Sequence, residues 1–177
     1  AQAVQEAKRH FLDCVGAALA EASQSRPQIV PRVLDEIGNE GECRIVGTGR
    51  KASVYYAAFA NGILSFTICY DDSGPSHPSV TIVPTLLSMG DWKHLNGKEI
   101  LTAQLLAYDV FQRLNAATQD AWEMRKRGWH PTGFFGAVTS AAICARLLGF
   151  DLERAVQAVS IAATMGGGLS QSIGNMG

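Results

Sequence analysis

Apolar positions along this chain recur mostly at three- and four-residue steps, the spacing of one face of an α-helix. Val4, Ala7, Phe11, Val15, Ala18 and Ala22 predict an amphipathic helix over residues 1–22, which begins without a recognisable capping residue, as though cut from a longer helix. Pro27 and Pro31 suit helical first turns, and Ile29, Val30, Val33, Leu34 and Ile37 predict a short helix that Gly38-Asn39 stops. Only Cys43-Arg44-Ile45-Val46-Gly47 has β character; Gly47-Thr48-Gly49-Arg50 reads as a turn after it, and a lone strand predicts no sheet. Ser53 is placed to cap a helix through Tyr56, Ala57, Ala60 and Leu64. Ser79 starts another through Val83, Leu86 and Leu87, and Asn96-Gly97 introduces the longest periodic run, Ile100, Ala103, Leu106, Ala107, Val110 and Leu114. From Thr132 to Leu148 the small residues Gly133, Gly136, Ala137, Ala141, Ala142 and Ala145 let another helix approach closely, so this element is expected to be central and crowded. Asp151 caps a last amphipathic helix, Ala155, Val159, Ile161 and Ala162, which runs into Met165-Gly166-Gly167-Gly168-Leu169. The fold class expected is all-α, a packed set of antiparallel helices.

Size and charge narrow this picture rather than change it. At 177 residues and 47% hydrophobic, the chain suffices for one ordinary core. A formal net charge of -1 gives no global field that would draw it to nucleic acid or to an anionic membrane, so a charged ligand must be recognised locally. The run Glu123 to Gly128 reads as a solvated helix end whose basic last turn complements the helix dipole. Cys14, Cys43, Cys69 and Cys144 are dispersed, without the close pairing of zinc or redox motifs, and are expected to be buried reduced thiols. No bilayer-spanning run and no leader is recognised, and a cytoplasmic or organelle-matrix location is expected.

The candidate chemistry lies in two similar triplets, His77-Pro78-Ser79 and His130-Pro131-Thr132, each setting an imidazole ahead of a hydroxyl residue and a helix start. A helix start offers unpaired N–H groups and partial positive charge, so each triplet is a seat for a carboxylate beside a proton donor or acceptor, and the same field favours a neutral imidazole. The competing reading is purely structural: His-Pro fixes how the chain enters a helix and Ser or Thr caps it. The polar loop Asp71-Asp72-Ser73-Gly74-Pro75-Ser76 is the first loop candidate for function, as a general acid, as an orienting partner for an imidazole, or, with His77, as a weakly supported metal site. His10 and His94 sit in helical or surface contexts and read as structural.

Taken in order, Leu12-Asp13-Cys14-Val15-Gly16, Ala57-Ala58-Phe59-Ala60-Asn61-Gly62, Tyr70-Asp71-Asp72-Ser73, His77-Pro78-Ser79, Gly128-Trp129-His130-Pro131-Thr132 and Leu147-Leu148-Gly149-Phe150 resemble the MmgE/PrpD family, which contains 2-methylcitrate dehydratases, cis-aconitate decarboxylases and iminodisuccinate epimerases. The resemblance implies a homodimeric two-domain enzyme without metal or organic cofactor, in which this chain is the N-terminal part of the large helical domain and an α+β lid follows later. It implies that His77 and His130 are active-site histidines, that Asp71, Asp72 and Ser73 form the acidic loop of the site, and that Ser79, Thr132 and Cys69 adjoin the substrate. Many members of the family have an aspartate at the position of Cys69 and a histidine at that of Phe66, so here the usual carboxylate partner is missing unless Asp71 or Asp72 takes its place. The reaction implied is proton removal next to a carboxylate of a small di- or tricarboxylic acid, by a lyase or, alternatively, an epimerase, or else the fold of a dimeric scaffold that has lost catalysis. The family also usually carries a lysine-containing segment of the site beyond the position of Gly177, so this chain alone is expected to be inactive.

Overall fold

Eight α-helices and one short hairpin make up the described part of the chain, which in this computed structural model comprises residues 2–24, 29–36, 40–67, 69–70, 72 and 76–172. In chain order they are α1 (Gln2–Ala22), α2 (Ile29–Glu36), β1 (Cys43–Ile45), β2 (Arg50–Ala52), α3 (Val54–Phe66), α4 (Ser79–Lys93), α5 (Gly97–Ala117), α6 (Ala121–Lys126), α7 (Pro131–Leu147) and α8 (Leu152–Met165), followed by a single 3-10 turn at Ser170–Ser172. Pro27 and the expected helix stop at Gly38-Asn39 lie outside the described residues. The expected all-α class holds; of the capping residues expected from the sequence, Asn96 and Asp151 cap with their side chains, whereas Ser53 takes the N-cap position of α3 without a side-chain capping bond. Asn96 accepts hydrogen bonds from the Lys98 and Glu99 amides while the Glu99 carboxylate accepts from the Asn96 amide, a reciprocal capping box, and Asp151 accepts from the Arg154 amide.

The short sheet is a correction. Residues 50–52 form a second strand, pairing antiparallel with β1 in the register Cys43↔Ala52, Arg44↔Lys51 and Ile45↔Arg50. Arg50-Lys51-Ala52 carries no β-branched residue and no apolar alternation, so nothing in its composition announces a strand. Two tertiary ties hold the hairpin instead. The Asn61 side chain, fully buried in α3, accepts from the Val46 amide at 2.9 Å and donates to the Arg44 carbonyl at 3.0 Å. The Asp91 carboxylate of α4 accepts from the Arg44 amide at 2.8 Å and from its guanidinium.

Arg44 also holds the Asp91 carboxyl below its ordinary value of 3.8, chiefly through the side-chain hydrogen bond. A carboxyl whose proton affinity is lower in the folded chain stabilises the fold above its unfolded value and loses that contribution as pH falls through the folded one. Asp91→Asn should therefore lower stability by about 1–2 kcal/mol near neutral pH. The deficit should vanish toward the acid end of a urea-melt series run from pH 7 to pH 2, and a deficit independent of pH would contradict this account.

Helix α4 is the centre of the fold: nine of its fifteen residues are buried, and it packs against α1, α3, α5 and α7. Pro84 lies inside it, so the Val80 carbonyl has no intrahelical N–H donor one turn on. As expected, α7 is crowded. A Cβ on its Gly136 would stand 2.5 Å from Thr81 Cγ2, so the glycine permits the close approach of α7 to α4. One apolar cluster joins Ala18, Leu34, Ile45, Ala57 and Leu64 around the hairpin, and another joins Ile82, Leu86, Ala103, Ala107 and Ile143 between α4, α5 and α7. Helix α8 packs on α7, yet none of its residues is buried.

Two thiols follow the expectation of burial: Cys14 donates to the Ser79 carbonyl and Cys43 to that of Ser88. Cys69 departs from it. It is exposed just after the end of α3, on a left-handed backbone with φ 51°, and Cys144 is only partly buried. Among the described residues no helix is long and apolar enough to cross a membrane.

Candidate active site

Helices α4 and α7 begin side by side, and the two His-Pro triplets are thereby brought together. Pro131 occupies the first turn of α7, where its missing N–H costs nothing, and His130 caps that helix with an extended backbone, φ -91° and ψ 105°. Thr132 does not cap its own helix. Its hydroxyl oxygen, in a residue 4% exposed, accepts from the His77 amide at 2.9 Å, so one helix start fixes the backbone of the other imidazole.

His130 is restrained in turn by the glycine-rich segment after α8. The His130 amide donates to the Gly168 carbonyl at 2.9 Å, Trp129 bridges Leu169 in antiparallel fashion, and the Ser170 amide and hydroxyl donate to the Gly128 and Trp129 carbonyls. This strap lies against the first turn of α7 only because both sides lack Cβ atoms. A Cβ on Gly133 would fall 2.2 Å from the Gly167 carbonyl oxygen, and Gly168, at φ 125°, would place one 3.2 Å from His130 Cβ.

Phe66, the last residue of α3, joins the two imidazoles. Its ring meets His77 edge-on at a centroid distance of 5.3 Å and His130 at 5.8 Å with a 34° tilt. His77 is buried, and the buried His130 Nε2 has no hydrogen-bond partner among the described residues. Burial, then the Arg125 guanidinium and His77, push the His130 imidazole below its ordinary value of 6.5. The shift favours the neutral imidazole, with burial as its first cause rather than the helix-start field invoked from the sequence.

Asp72 has a different engagement. Its carboxylate accepts from the Ser79 hydroxyl at 2.6 Å and from the Ser79 amide at 3.3 Å, meeting the start of α4 as a capping carboxylate does. Ser79, fully buried, also shares a hydrogen bond with the Tyr108 hydroxyl of α5, whose pKa is pushed up, mainly by burial. His10 Nδ1 lies 3.6 Å from Asp72 Oδ2 and its ring 5.5 Å from that of Tyr108, so His10 belongs to this cluster. Of the residues singled out from sequence, His77, His130 and Thr132 thus converge, whereas Asp72 and Ser79 engage side chains of α1 and α5. Asp71 and Ser73 lie outside the described residues. Cys69 is exposed, and its amide donates to the Phe66 carbonyl. Phe66 and Tyr108 were not singled out as participants. Tyr108 sits in the periodic helix Gly97–Ala117 and carries no local signal, while Phe66 stands out in the sequence only by replacing the histidine that many members of the family have there.

From the imidazole end a groove of about 780 Å³ runs between α3, α4 and α7, floored by Thr81 and Pro84 and walled by Gly62, Phe66, His130 and Gly136. No Lys or Arg lines it among the described residues.

The family profile of the MmgE/PrpD N-terminal domain matches residues 1–176. The chain is a member of the MmgE/PrpD family. Among curated MmgE/PrpD relatives it is 27% identical over 179 residues to the cis-aconitate decarboxylase-like protein oryM of Aspergillus oryzae, covering 96% of this chain and 37% of that protein. It is 26% identical over 178 residues to the cis-aconitate decarboxylase of Homo sapiens, covering 93% of this chain and 35% of that enzyme, and 30% identical over 118 residues to that of Mus musculus, covering 63% and 24%. The chain thus spans little more than a third of the length of the first two of these relatives. The resemblance read from the ordered motifs is accordingly a family membership, with the two His-Pro triplets inside the matched region.

Proposed function

We propose that this chain supplies the imidazole pair of a lyase acting on a small di- or tricarboxylic acid, with His130 as the proton acceptor. The observation that carries the reading is the state of His130 Nε2: buried, without a hydrogen-bond partner among the described residues, on an imidazole at a helix start whose backbone amide is tied to the Gly168 carbonyl. A base needs a free lone pair at working pH, and a nitrogen with no partner is poised to take a proton from the carbon next to a carboxylate. A dehydratase uses that step directly, with His77 protonating the departing hydroxyl or positioning the substrate. In a decarboxylase the bond to the carboxylate breaks to release CO2, and the carbanion it leaves takes a proton from an imidazole that has first been protonated by solvent.

The first-turn amides of α7 have no intrahelical acceptors and favour an anion beside the imidazoles. Among the described residues no Lys or Arg lines the groove, so in this reading the first-turn amides of α7 are what it offers a carboxylate. The names of the relatives favour cis-aconitate as the first substrate to try. Incubating the full-length protein with cis-aconitate, 2-methylcitrate and iminodisuccinate, and following each by proton NMR, should show one of the first two consumed. Consumption of iminodisuccinate alone would make the protein an epimerase. Turnover of none of the three would favour the non-catalytic scaffold, a reading that Phe66 and Cys69, in place of polar partners for the imidazoles, already support.

A further inference from the structure

The residue between the two imidazoles is apolar. Phe66 touches both rings, lines the groove and closes the end of α3, so its side chain meets His77, His130 and the groove together. What stands beside an imidazole decides its charge. A carboxylate there favours the imidazolium, a water-filled gap leaves an ordinary imidazole, and an apolar ring that excludes water favours the neutral form. The other charged or titratable groups that act on His130 are Arg125 from α6 and His77 from the segment before α4. Neither contributes negative charge, and α3 presents the phenyl ring. The strap presents only the backbone of Gly168.

We propose that Phe66 is a positioning residue for the imidazole pair: its ring fixes the separation of His77 and His130 and keeps water from the space between them, so that His130 Nε2 stays an unprotonated, unbonded acceptor. The proposal rests on the reading of His130 as the base, but it concerns the state of the imidazole, which is measurable without turnover. It gives a physical content to Phe66 that does not depend on restoring a polar residue there. A smaller side chain lets water reach His130 Nε2, which both supplies the missing hydrogen bond and stabilises the imidazolium.

The test is a proton NMR titration of the histidine ring protons in the full-length protein and in its Phe66→Ala and Phe66→Leu variants. Ring protons of both His77 and His130 should lose the ring-current shift that a phenyl group 5–6 Å away imposes. The His130 midpoint, below 6.5 in the parent, should rise toward 6.5 in Phe66→Ala and, to a smaller degree, in Phe66→Leu. An unchanged His130 midpoint in a folded Phe66→Ala protein overturns the proposal. If the alanine variant does not fold, an unchanged midpoint in Phe66→Leu overturns it equally. These outcomes are independent of the functional reading: a raised midpoint in a protein whose His130→Ala variant keeps full turnover would sustain the role of Phe66 and remove His130 as the base.

Discussion

Replacing His130 by alanine should cost the full-length enzyme about a thousandfold in kcat, within the range that general acid–base catalysis contributes, while leaving the fold as stable as before or more so. The second half of that expectation separates function from structure. Among the described residues His130 Nε2 is buried without a partner, and its removal takes away an unsatisfied polar atom rather than a bond. The backbone bonds to Gly168 and Phe134 survive in alanine. The acid limb sharpens the test. Because burial lowers the His130 proton affinity in the folded chain, the unfolded chain takes up the proton first on acidification. The stability contribution of the neutral residue is therefore whole above 6.5 and lost as pH falls from there through the lowered folded value. His130→Ala should abolish that part of the acid destabilisation. Urea melts at pH 7.5 and pH 5, beside steady-state kinetics, measure both. A variant that keeps turnover, or one that loses it only because it unfolds, would defeat the assignment.

The second large effect comes from a methyl group. Alanine is ordinarily a better helix residue than glycine by about 1 kcal/mol, and Gly133→Ala in α7 should on that ground stabilise. It should do the opposite, because its Cβ would stand 2.2 Å from the Gly167 carbonyl oxygen, a backbone atom that moves only if the strap moves. Overpacking of this kind costs about 1–3 kcal/mol, more than the helical gain. The damage should also reach the site, since the displaced strap carries the Gly168 carbonyl that holds the His130 amide. A misplacement of about 1 Å at a reacting group is worth on the order of a hundredfold in rate. The expected signature is a lowered urea midpoint, faster amide exchange at His130 and Ser170, and reduced kcat. A Gly133→Ala protein as stable as the parent, with unchanged exchange, would mean that the strap yields without effect.

How far these features were legible in the sequence differed with their cause. The long helices were legible because each advertises its own period, and some their cap as well, as with Asn96 and Glu99 or Asp151. The His-Pro triplets were legible as helix starts, and the tie between them was not: Thr132 looked like a cap for its own helix, and only the parallel placement of α4 and α7 turns its hydroxyl to the His77 amide. Asp72 read as part of an acidic site loop, whereas its carboxylate meets the start of α4, a role set by the path of the loop rather than by residue type. Phe66 was visible as an oddity without a function, because an aromatic ring gains meaning here only from two partners distant in sequence. Strand β2 had no local signal, being held by Asn61 and Asp91 from other elements. The apolar stripe of α8 was read correctly as a helix face, but periodicity does not say what covers a face, and Leu152 and Met165 stand more than three-quarters exposed.

The hydrogen bond from the His77 amide to Thr132 joins residues 55 positions apart, with α4, α5 and α6 threaded between them. Closing a loop of that size is entropically uphill until the intervening helices have packed, so this contact belongs to the late, non-local part of folding. The His77 amide proton is consequently a reporter of cooperative opening: its exchange in deuterated buffer should track the global unfolding free energy, while the frayed turns at the helix ends exchange long before it. An imidazole pair built in this way exists only in the assembled helical layer, and a fragment holding α7 and α8 alone would carry His130 without the partner that gives it a site.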